Sequence, residues 1–238
     1  MVADDLTPRL RRRGLHGEVV EAIGRRIVAG ELPPGTIVDM QQLEKELGVS
    51  HTVMRESFKV LSAKQLINAR PKVGTYVLPR RYWNLLDADV TRWRPDKHKL
   101  LQDLSEVRAI VEPNYAALAA ERADAAQIAE MKRALDDLRT AVGRATHDPA
   151  AGWDAAVDAD VAFHIGICEA TGNELAARFE SMLLPAVRTR HLETLPRHHA
   201  QRFLDEHAEV LRAIEAGNPD SAREAMTLLL RNAAEDTA

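Results

Sequence analysis

Residues Leu43–Lys59 read LEKELGVSHTVMRESFK, and their pattern is the strongest structural signal in the N-terminal part of the chain. Leu43 and Leu47 are four residues apart and therefore lie on one face of a short helix. Gly48 can end that helix in a left-handed conformation, and the Ser50 hydroxyl can cap the helix that follows. Two short helices joined by so tight a turn are typical of a helix-turn-helix. The sequence therefore predicts this motif here.

The second helix of the motif carries polar side chains that suit the major groove of a nucleic acid. Its predicted exposed positions are His51, Thr52, Arg55 and Lys59, with Ser50 just before the helix. Such side chains can hydrogen-bond to base edges and to phosphates. We therefore predict that these residues contact DNA.

Two short β-prone runs, residues 66–69 and 75–78, follow the motif and predict a hairpin. The segment between them, RPKVG, combines Pro and Gly, which favour a turn. Arg70 and Lys72 place two cations in this turn, where they can contact a phosphate backbone. Helices followed by such a hairpin predict a winged helix-turn-helix, with Arg70, Lys72 and Gly74 in the wing.

Charge is distributed unevenly along the 238 residues, whose formal net charge is −4. Residues 1–80 carry 13 Lys and Arg against 9 Asp and Glu, whereas residues 81–238 carry 19 against 27. The segment with the predicted helix-turn-helix is thus the basic one, which favours an anionic partner such as DNA. Residues 1–13 end in three arginines and predict a flexible basic arm, which can be disordered or can follow phosphates.

Beyond residue 80 the apolar residues recur with helical spacing almost throughout. We predict a winged helix-turn-helix domain at residues 14–79, a linker or connector helix at 80–98 and an all-helical domain at 99–238. Six or seven helices should form this second domain as a bundle, so the predicted fold class is mainly α. The predicted helices span residues 100–122, 124–142, 149–170, 173–195, 198–216 and 219–234.

The sequence disfavours secreted and membrane-spanning proteins. The single cysteine, Cys168, cannot form an intrachain disulfide. The N-terminus lacks the apolar core of a signal peptide, and no run of about 18 apolar residues occurs that could span a membrane. We therefore expect a soluble cytoplasmic protein that does not contact a membrane.

The turns and caps of residues 15–78 occur in a specific order. They are Gly30, Pro34-Gly35, Leu47-Gly48-Val49-Ser50, Arg55-Glu56 and Gly74-Thr75-x-Val77. This order resembles the winged-helix domain of GntR-family transcription regulators. His51 and Val53-Met54 depart from that family, whose members usually have Arg and Pro there, so the operator sequence does not transfer.

The second half of the chain has its own series of motifs. They are Glu106-Val107-Arg108 with Glu112-Pro113, Ala119-Ala120-Glu121-Arg122, Asp160-x-x-Phe163-His164, Thr171-Gly172-Asn173 and Glu206-His207. These motifs resemble the effector-binding FCD domain of the FadR-type subgroup. The segment WNLLDADVTRW at residues 83–93 is also similar to regulators of sugar-acid catabolism such as the galactonate operon repressor.

The family resemblance implies a homodimeric transcription regulator, usually a repressor, that binds a palindromic operator in double-stranded DNA. A small carboxylate or sugar-acid effector in the helical domain would control that binding. A dimer agrees with the short reach of one recognition helix, because two-fold proteins contact half-sites about one helical turn apart.

Asp160 and His164 are four residues apart and lie on one face of a predicted helix. A carboxylate and an imidazole at this spacing can bind Zn²⁺, Mn²⁺ or Ni²⁺, or can form an ordinary polar face or hydrogen-bonded pair. The family resemblance adds His207 as a third ligand and places Leu229 where a fourth histidine is expected. Three protein ligands would leave open positions for an effector carboxylate.

Arg108 lies among apolar residues in a predicted helix, where burial of an unpaired guanidinium would be unfavourable. The resemblance implies that Arg108 binds the effector carboxylate, together with Asp160, His164 and His207. An internal salt bridge with Glu112, four residues later, is one alternative, and exposure to solvent is another.

Two other functions are compatible with parts of this pattern. A metal-dependent hydrolase could use Asp160, His164 and His207, but no HExxH motif supplies a general base and the helix-turn-helix would be unexplained. A DNA-architectural protein that senses no ligand would leave the large acidic domain unexplained. We therefore predict a regulator rather than an enzyme, with no catalytic residues.

Overall fold

The computed structural model describes residues 14–179, Leu183 and residues 199–235. It has two compact units, Met1–Pro95 and Asp96–Ala238. The described parts of both units are mainly helical, which confirms the predicted fold class. None of the described helices combines the length and the apolar character that a membrane-spanning helix needs. The predicted basic arm at residues 1–13 lies outside the described residues.

The first unit contains a helix-turn-helix followed by a hairpin. Its elements are α1 (Gly14–Val28), α2 (Met40–Leu47), α3 (His51–Ala63), β1 (Ile67–Arg70), β2 (Gly74–Val77), a 3-10 turn (Arg80–Tyr82) and α4 (Ala88–Trp93). The antiparallel strands pair Ile67 with Val77 and Arg70 with Gly74. This is the winged helix-turn-helix that the sequence predicts.

Local capping interactions define α2 and α3. The Asp39 carboxylate accepts hydrogen bonds from the backbone N–H groups two and three residues later, at 2.9 and 3.1 Å. Gly48 ends α2 with a φ of 64°, and Ser50 caps α3 by accepting a hydrogen bond from the Val53 N–H. These caps depend on a few neighbouring residues, which is why the sequence predicts the turn correctly.

Helix α4 packs against the core of the first unit. Trp93 is buried so close to Gly24 that a Cβ atom at residue 24 would lie 2.2 Å from the indole ring. Lys64 Nζ lies 2.7 and 2.9 Å from the two carboxylate oxygens of Asp87, just before α4. Most of the predicted connector, residues 80–95, therefore belongs to the first unit.

The second unit is a helical bundle. Its helices are α5 (Lys97–Arg122), α6 (Ala125–Ala145), α7 (Pro149–Ala170), α8 (Ala200–Glu215) and α9 (Pro219–Glu235), and residues 174–179 are also helical. Most of the predicted helix at residues 173–195 lies outside the described residues. Helix α6 packs along α7 and α5 packs along α9, around a core that includes Met131 and Phe163. Helix α5 also contacts α7 and α8, and these three helices position the site described next.

Candidate metal centre and DNA-contacting surface

A cluster of ionisable side chains is buried in the second unit. Arg108 and Glu112 come from α5, Asp160 and His164 from α7, and His207 from α8. Each of these five residues, which form the buried cluster, is at most 4% exposed. Burial of so many ionisable groups is unfavourable unless they pair with one another or bind a ligand. The packing of three helices therefore creates one polar site inside an apolar core.

His207 lies between two oxygen atoms. Its Nδ1 is 2.7 Å from the carbonyl oxygen of Phe203, and its Nε2 is 2.8 Å from Asp160 Oδ1. A carbonyl oxygen only accepts hydrogen bonds, so the ring donates from Nδ1. In the neutral ring, Nε2 then has a lone pair directed at a carboxylate oxygen. A cation bound by both atoms would remove this repulsion.

His164 has a similar arrangement. Its Nδ1 lies 2.8 Å from Glu112 Oε2, and its Nε2 lies 3.8 Å from Asp160 Oδ1. Nη2 of Arg108 lies 3.5 Å from the same Nε2. A guanidinium only donates hydrogen bonds, so this contact also favours a lone pair on Nε2. In both imidazoles, Nε2 thus faces the Asp160 carboxylate. Nδ1 lies next to a different oxygen atom in each ring.

Charge within the buried cluster favours a cation at the histidines. Burial by itself would lower the pKa of His164, but the Glu112 and Asp160 carboxylates outweigh burial and raise that pKa. Burial would likewise raise the pKa of Glu112, but Arg108 and His164 hold it well below its usual range. Glu112 is therefore ionised, and the negative charge that favours a proton on His164 also favours a metal ion.

Arg108 and Glu112 form a salt bridge within α5. Arg108 Nε contacts Glu112 Oε1, and Nη2 lies 3.3 Å from Oε2. The structure thus shows the internal salt bridge that the sequence left open as an alternative. Because Arg108 also lies next to His164, its guanidinium is close to any ligand bound at the histidines. Effector binding by Arg108 stays a prediction.

Asp160, His164 and His207 form a candidate metal centre. One ligand atom from each residue lies within 4.8 Å of the other two. A carboxylate and two imidazoles suit Zn²⁺, Mn²⁺ or Ni²⁺. The Nδ1 contacts of His164 and His207 with Glu112 and the Phe203 carbonyl are of the kind that orients metal-binding histidines. The donor set therefore fits a divalent cation.

Leu229 and Glu112 differ in how well the sequence predicts their environments. Leu229 occupies the expected fourth ligand position, is 2% exposed and belongs to the apolar core. A leucine side chain has no atom that can bind a metal ion. Glu112 contacts His164 on α7 as well as Arg108 on its own helix. The sequence spacing relates Glu112 to Arg108 but carries no signal for its contact with another helix.

The predicted DNA contacts lie at the surface of the first unit. The exposed residues on or next to α3 are Ser50, His51, Thr52, Arg55 and Lys59, and those in the wing are Arg70, Lys72 and Gly74. Lys72 and Gly74 have φ values of 65° and 97°, which produce the tight turn of the wing. His51 and Lys59 also pair with acidic side chains of the motif, at 2.7 and 2.8 Å. Their contacts with DNA stay predictions.

Several known proteins are similar to this chain. The family model of the bacterial regulatory proteins, gntR family, matches residues 15–77, and that of the FCD domain matches residues 103–232. The galactonate operon transcriptional repressor of Escherichia coli is 28% identical, over 89% of this chain and 92% of its own length. The HTH-type transcriptional regulator LutR of Bacillus subtilis is 31% identical, over 85% and 92%. The solved structure of Lar, which controls the expression of the Listeria monocytogenes agr system, matches with a TM-score of 0.64 and 16% identity, over 93% of this chain and 95% of that one.

Proposed function

This chain belongs to the GntR family of bacterial regulatory proteins and carries an FCD domain, and from that premise we propose that a small carboxylate controls its binding to operator DNA. The family consists of transcription regulators and not of enzymes. The effector would bind beside a divalent metal ion held by Asp160, His164 and His207. A homodimer in the cytoplasm, acting as a repressor, completes the proposal.

The shared direction of the two imidazoles is the observation that carries the proposed metal site. His164 and His207 both direct Nε2 to Asp160 Oδ1, at 3.8 and 2.8 Å. The Nδ1 of His207 donates a hydrogen bond to the Phe203 carbonyl, and the Nδ1 of His164 lies 2.8 Å from Glu112 Oε2. If both rings are neutral, this arrangement leaves two lone pairs and a carboxylate facing one another, which is unfavourable unless a proton or a cation lies between them. A metal ion satisfies all three donors at once.

An effector carboxylate would have two groups to bind in the buried cluster. Three protein ligands leave coordination positions open, and a metal ion supplies a positive charge that attracts a carboxylate oxygen. Arg108 lies 3.5 Å from His164 Nε2, and a guanidinium can bind a carboxylate through two parallel hydrogen bonds. Similarity to the galactonate operon repressor supports a sugar acid as the effector class.

The first unit supports DNA as the partner. The predicted contacts on α3 are exposed side chains that can donate or accept hydrogen bonds, and the wing adds Arg70 and Lys72. Bases would be contacted by His51, Thr52 and Arg55, and phosphates by Lys59 and the wing. Two copies related by a two-fold axis would contact the two halves of a palindromic operator.

Metal content tests the proposed centre on the full chain. Wild-type protein stripped with EDTA and then dialysed against Zn²⁺, Mn²⁺ or Ni²⁺ should retain about one metal ion per chain by atomic emission spectroscopy. His164→Gln should lose most of this metal. The control His147→Gln removes an exposed histidine outside the buried cluster and should retain the metal. Full metal retention by His164→Gln would contradict the proposed centre.

Effector control is tested with the metal-loaded protein and a panel of sugar acids and small dicarboxylates. A true effector should raise the melting temperature of the wild type, because it binds the folded state, and should raise that of His164→Gln less. The same acid should change the affinity for a selected operator duplex in fluorescence anisotropy, since an effector acts through different affinities for two states. An acid that binds but leaves the DNA affinity unchanged would contradict the proposed control.

A further inference from the structure

His51 and Glu44 form a hydrogen-bonded contact across the turn of the helix-turn-helix. His51 Nδ1 lies 2.7 Å from Glu44 Oε1, and the two side chains are 66% and 19% exposed. The backbone carbonyl of Glu44 accepts hydrogen bonds from the N–H groups of Gly48 and Val49, so the turn itself fixes the backbone that carries this carboxylate. The imidazole is therefore tethered to α2 through one nitrogen while most of the ring faces solvent.

This tether determines the hydrogen-bonding role of the second ring nitrogen. The ionised carboxylate of Glu44 only accepts hydrogen bonds, so the proton of the neutral His51 ring lies on Nδ1. Nε2 then has a lone pair and acts as an acceptor. Among residues 14–179 and 199–235, no hydrogen bond occupies this atom. The first residue of α3 thus presents an acceptor to whatever that helix contacts.

The four bases differ in what they offer to an acceptor. In the major groove, adenine N6 and cytosine N4 are amino groups that donate hydrogen bonds. Guanine offers only the acceptors O6 and N7 there, and thymine offers an acceptor and a methyl group. An imidazole acceptor therefore pairs with an amino group, whereas an arginine at the same place would donate to guanine.

We propose that His51 is a specificity-determining residue that accepts a hydrogen bond from the amino group of adenine or cytosine at one position of each half-site. Glu44 sets this choice by holding the proton on Nδ1. His51 begins α3, and residues at the start of a recognition helix reach base edges. The inference rests on the proposed binding of operator DNA and adds the chemical group that one residue recognises.

The experiment begins with in vitro selection of random duplexes by the full-length protein. The base pair whose preference disappears in His51→Ala is the one that His51 contacts. At that position adenine is replaced by purine, or cytosine by pyrimidin-2-one, because each analogue lacks only the amino group. Affinities for the matched duplexes are then measured by fluorescence anisotropy for the wild type and for Glu44→Gln, Glu46→Gln and His51→Ala.

Glu46→Gln is the matched control for the tether. It removes the same charge from α2, but the Glu46 carboxylate pairs with Arg26, 2.8 Å away, and not with His51. Loss of the amino group should weaken binding of the wild type and of Glu46→Gln roughly 3- to 10-fold, the usual range for one hydrogen bond. Loss of the amino group should not change the DNA affinity of His51→Ala. It should lower the affinity of Glu44→Gln by less than about 2-fold, because the proton of the His51 ring is no longer fixed in that variant.

The remaining outcomes separate this inference from the proposed function. Sequence-specific binding by the wild type that is insensitive to the amino group would overturn the role of His51 and leave operator binding intact. Equal sensitivity of wild type and Glu44→Gln would overturn the role of the tether. If selection yields no preferred sequence for the wild type, both operator recognition and this inference are wrong.

Discussion

Two histidine–carboxylate pairs of nearly equal length lie in opposite environments of this molecule. His51 Nδ1 is 2.7 Å from Glu44 Oε1 in the first unit, and His164 Nδ1 is 2.8 Å from Glu112 Oε2 in the second. The His51 side chain is 66% exposed, whereas that of His164 is 4% exposed. Water weakens the first interaction, while the second acts in a medium of lower effective dielectric constant.

This difference shows how burial changes the role of a histidine–carboxylate pair. At the surface, each partner can be solvated when the other is removed, so the Glu44 contact contributes little to stability and mainly orients the imidazole. In the interior, Glu112 contacts both Arg108 and His164, and these groups have little access to water. The buried pair therefore fixes the positions of its side chains, whereas the exposed pair is suited to selecting a hydrogen-bond partner.

Removal of the buried carboxylate should have the largest effect. Glu112→Ala takes away a charge that contacts both Arg108 and His164, and loss of one partner of a buried ion pair typically costs about 3–5 kcal/mol. Urea unfolding followed by circular dichroism measures the change. The control Glu130→Ala breaks an exposed ion pair with Arg133 and should cost less than about 1 kcal/mol. Equal stability of the two variants would remove the distinction between the environments.

Metal binding should have the next largest effect and should depend on the buried cluster and not on the exposed pair. Metal at about 100 times its dissociation constant should stabilise the wild type by roughly 2.7 kcal/mol. Asp160→Asn should lose most of this gain, since it weakens the carboxylate ligand that both imidazoles face. His51→Ala, which removes the exposed histidine, should keep it. Scanning calorimetry of each variant with Ni²⁺ and with EDTA measures the gain in stability. An undiminished gain in Asp160→Asn would contradict the proposed metal centre.

DNA binding should separate two exposed cations of the first unit. Arg55→Ala should reduce the discrimination between operator and random DNA by about 1–3 kcal/mol, because Arg55 is predicted to contact bases. Lys72→Ala should weaken binding to all sequences similarly and should lower the salt dependence, because Lys72 is predicted to contact phosphate. Titrations at several salt concentrations test this. A Lys72→Ala protein that discriminates operators better than the wild type would contradict the assignment.

The smallest effect is expected from the exposed pair. Glu44→Gln should change the free energy of unfolding by less than about 1 kcal/mol, because both partners can be hydrated. Any difference from the wild type should shrink as sodium chloride is raised to about 1 M, since salt screens exposed charges. The difference between Glu112→Ala and the wild type should persist at this salt concentration. A loss for Glu44→Gln as large as that for Glu112→Ala would show that exposure does not separate the two pairs.

The winged helix-turn-helix could be predicted because its signals are local. Asp39, Gly48 and Ser50 cap or end their helices through contacts with residues two to four positions away. The wing follows from β-prone runs around a turn, and the helices of the second unit follow from apolar periodicity and helix-ending residues. Helix boundaries differ from the prediction by a few residues, as for α5, which begins at Lys97 rather than at residue 100.

The candidate sites were predicted in part. The four-residue spacing of Asp160 and His164 indicated a shared face, and family resemblance added His207. The structure brings these three residues together and buries them. Family resemblance did not predict a partner for His164 Nδ1. The sequence of α3 did not predict a partner for His51. Both partners are carboxylates on other helices, so neither follows from the periodicity of one helix.

Local sequence signals were enough to predict the helix-turn-helix, the wing, the mainly helical second unit and the face that carries Asp160 and His164. Each of these depends on residues within a few positions of one another, where backbone geometry relates sequence spacing to space. The contact between Glu112 and His164, and the 2.8 Å distance from Asp160 to the His207 that resemblance had grouped with it, depend on the packing of α5, α7 and α8. Burial, which distinguishes this cluster from the exposed pair of His51 and Glu44, is likewise a property of packing and not of spacing.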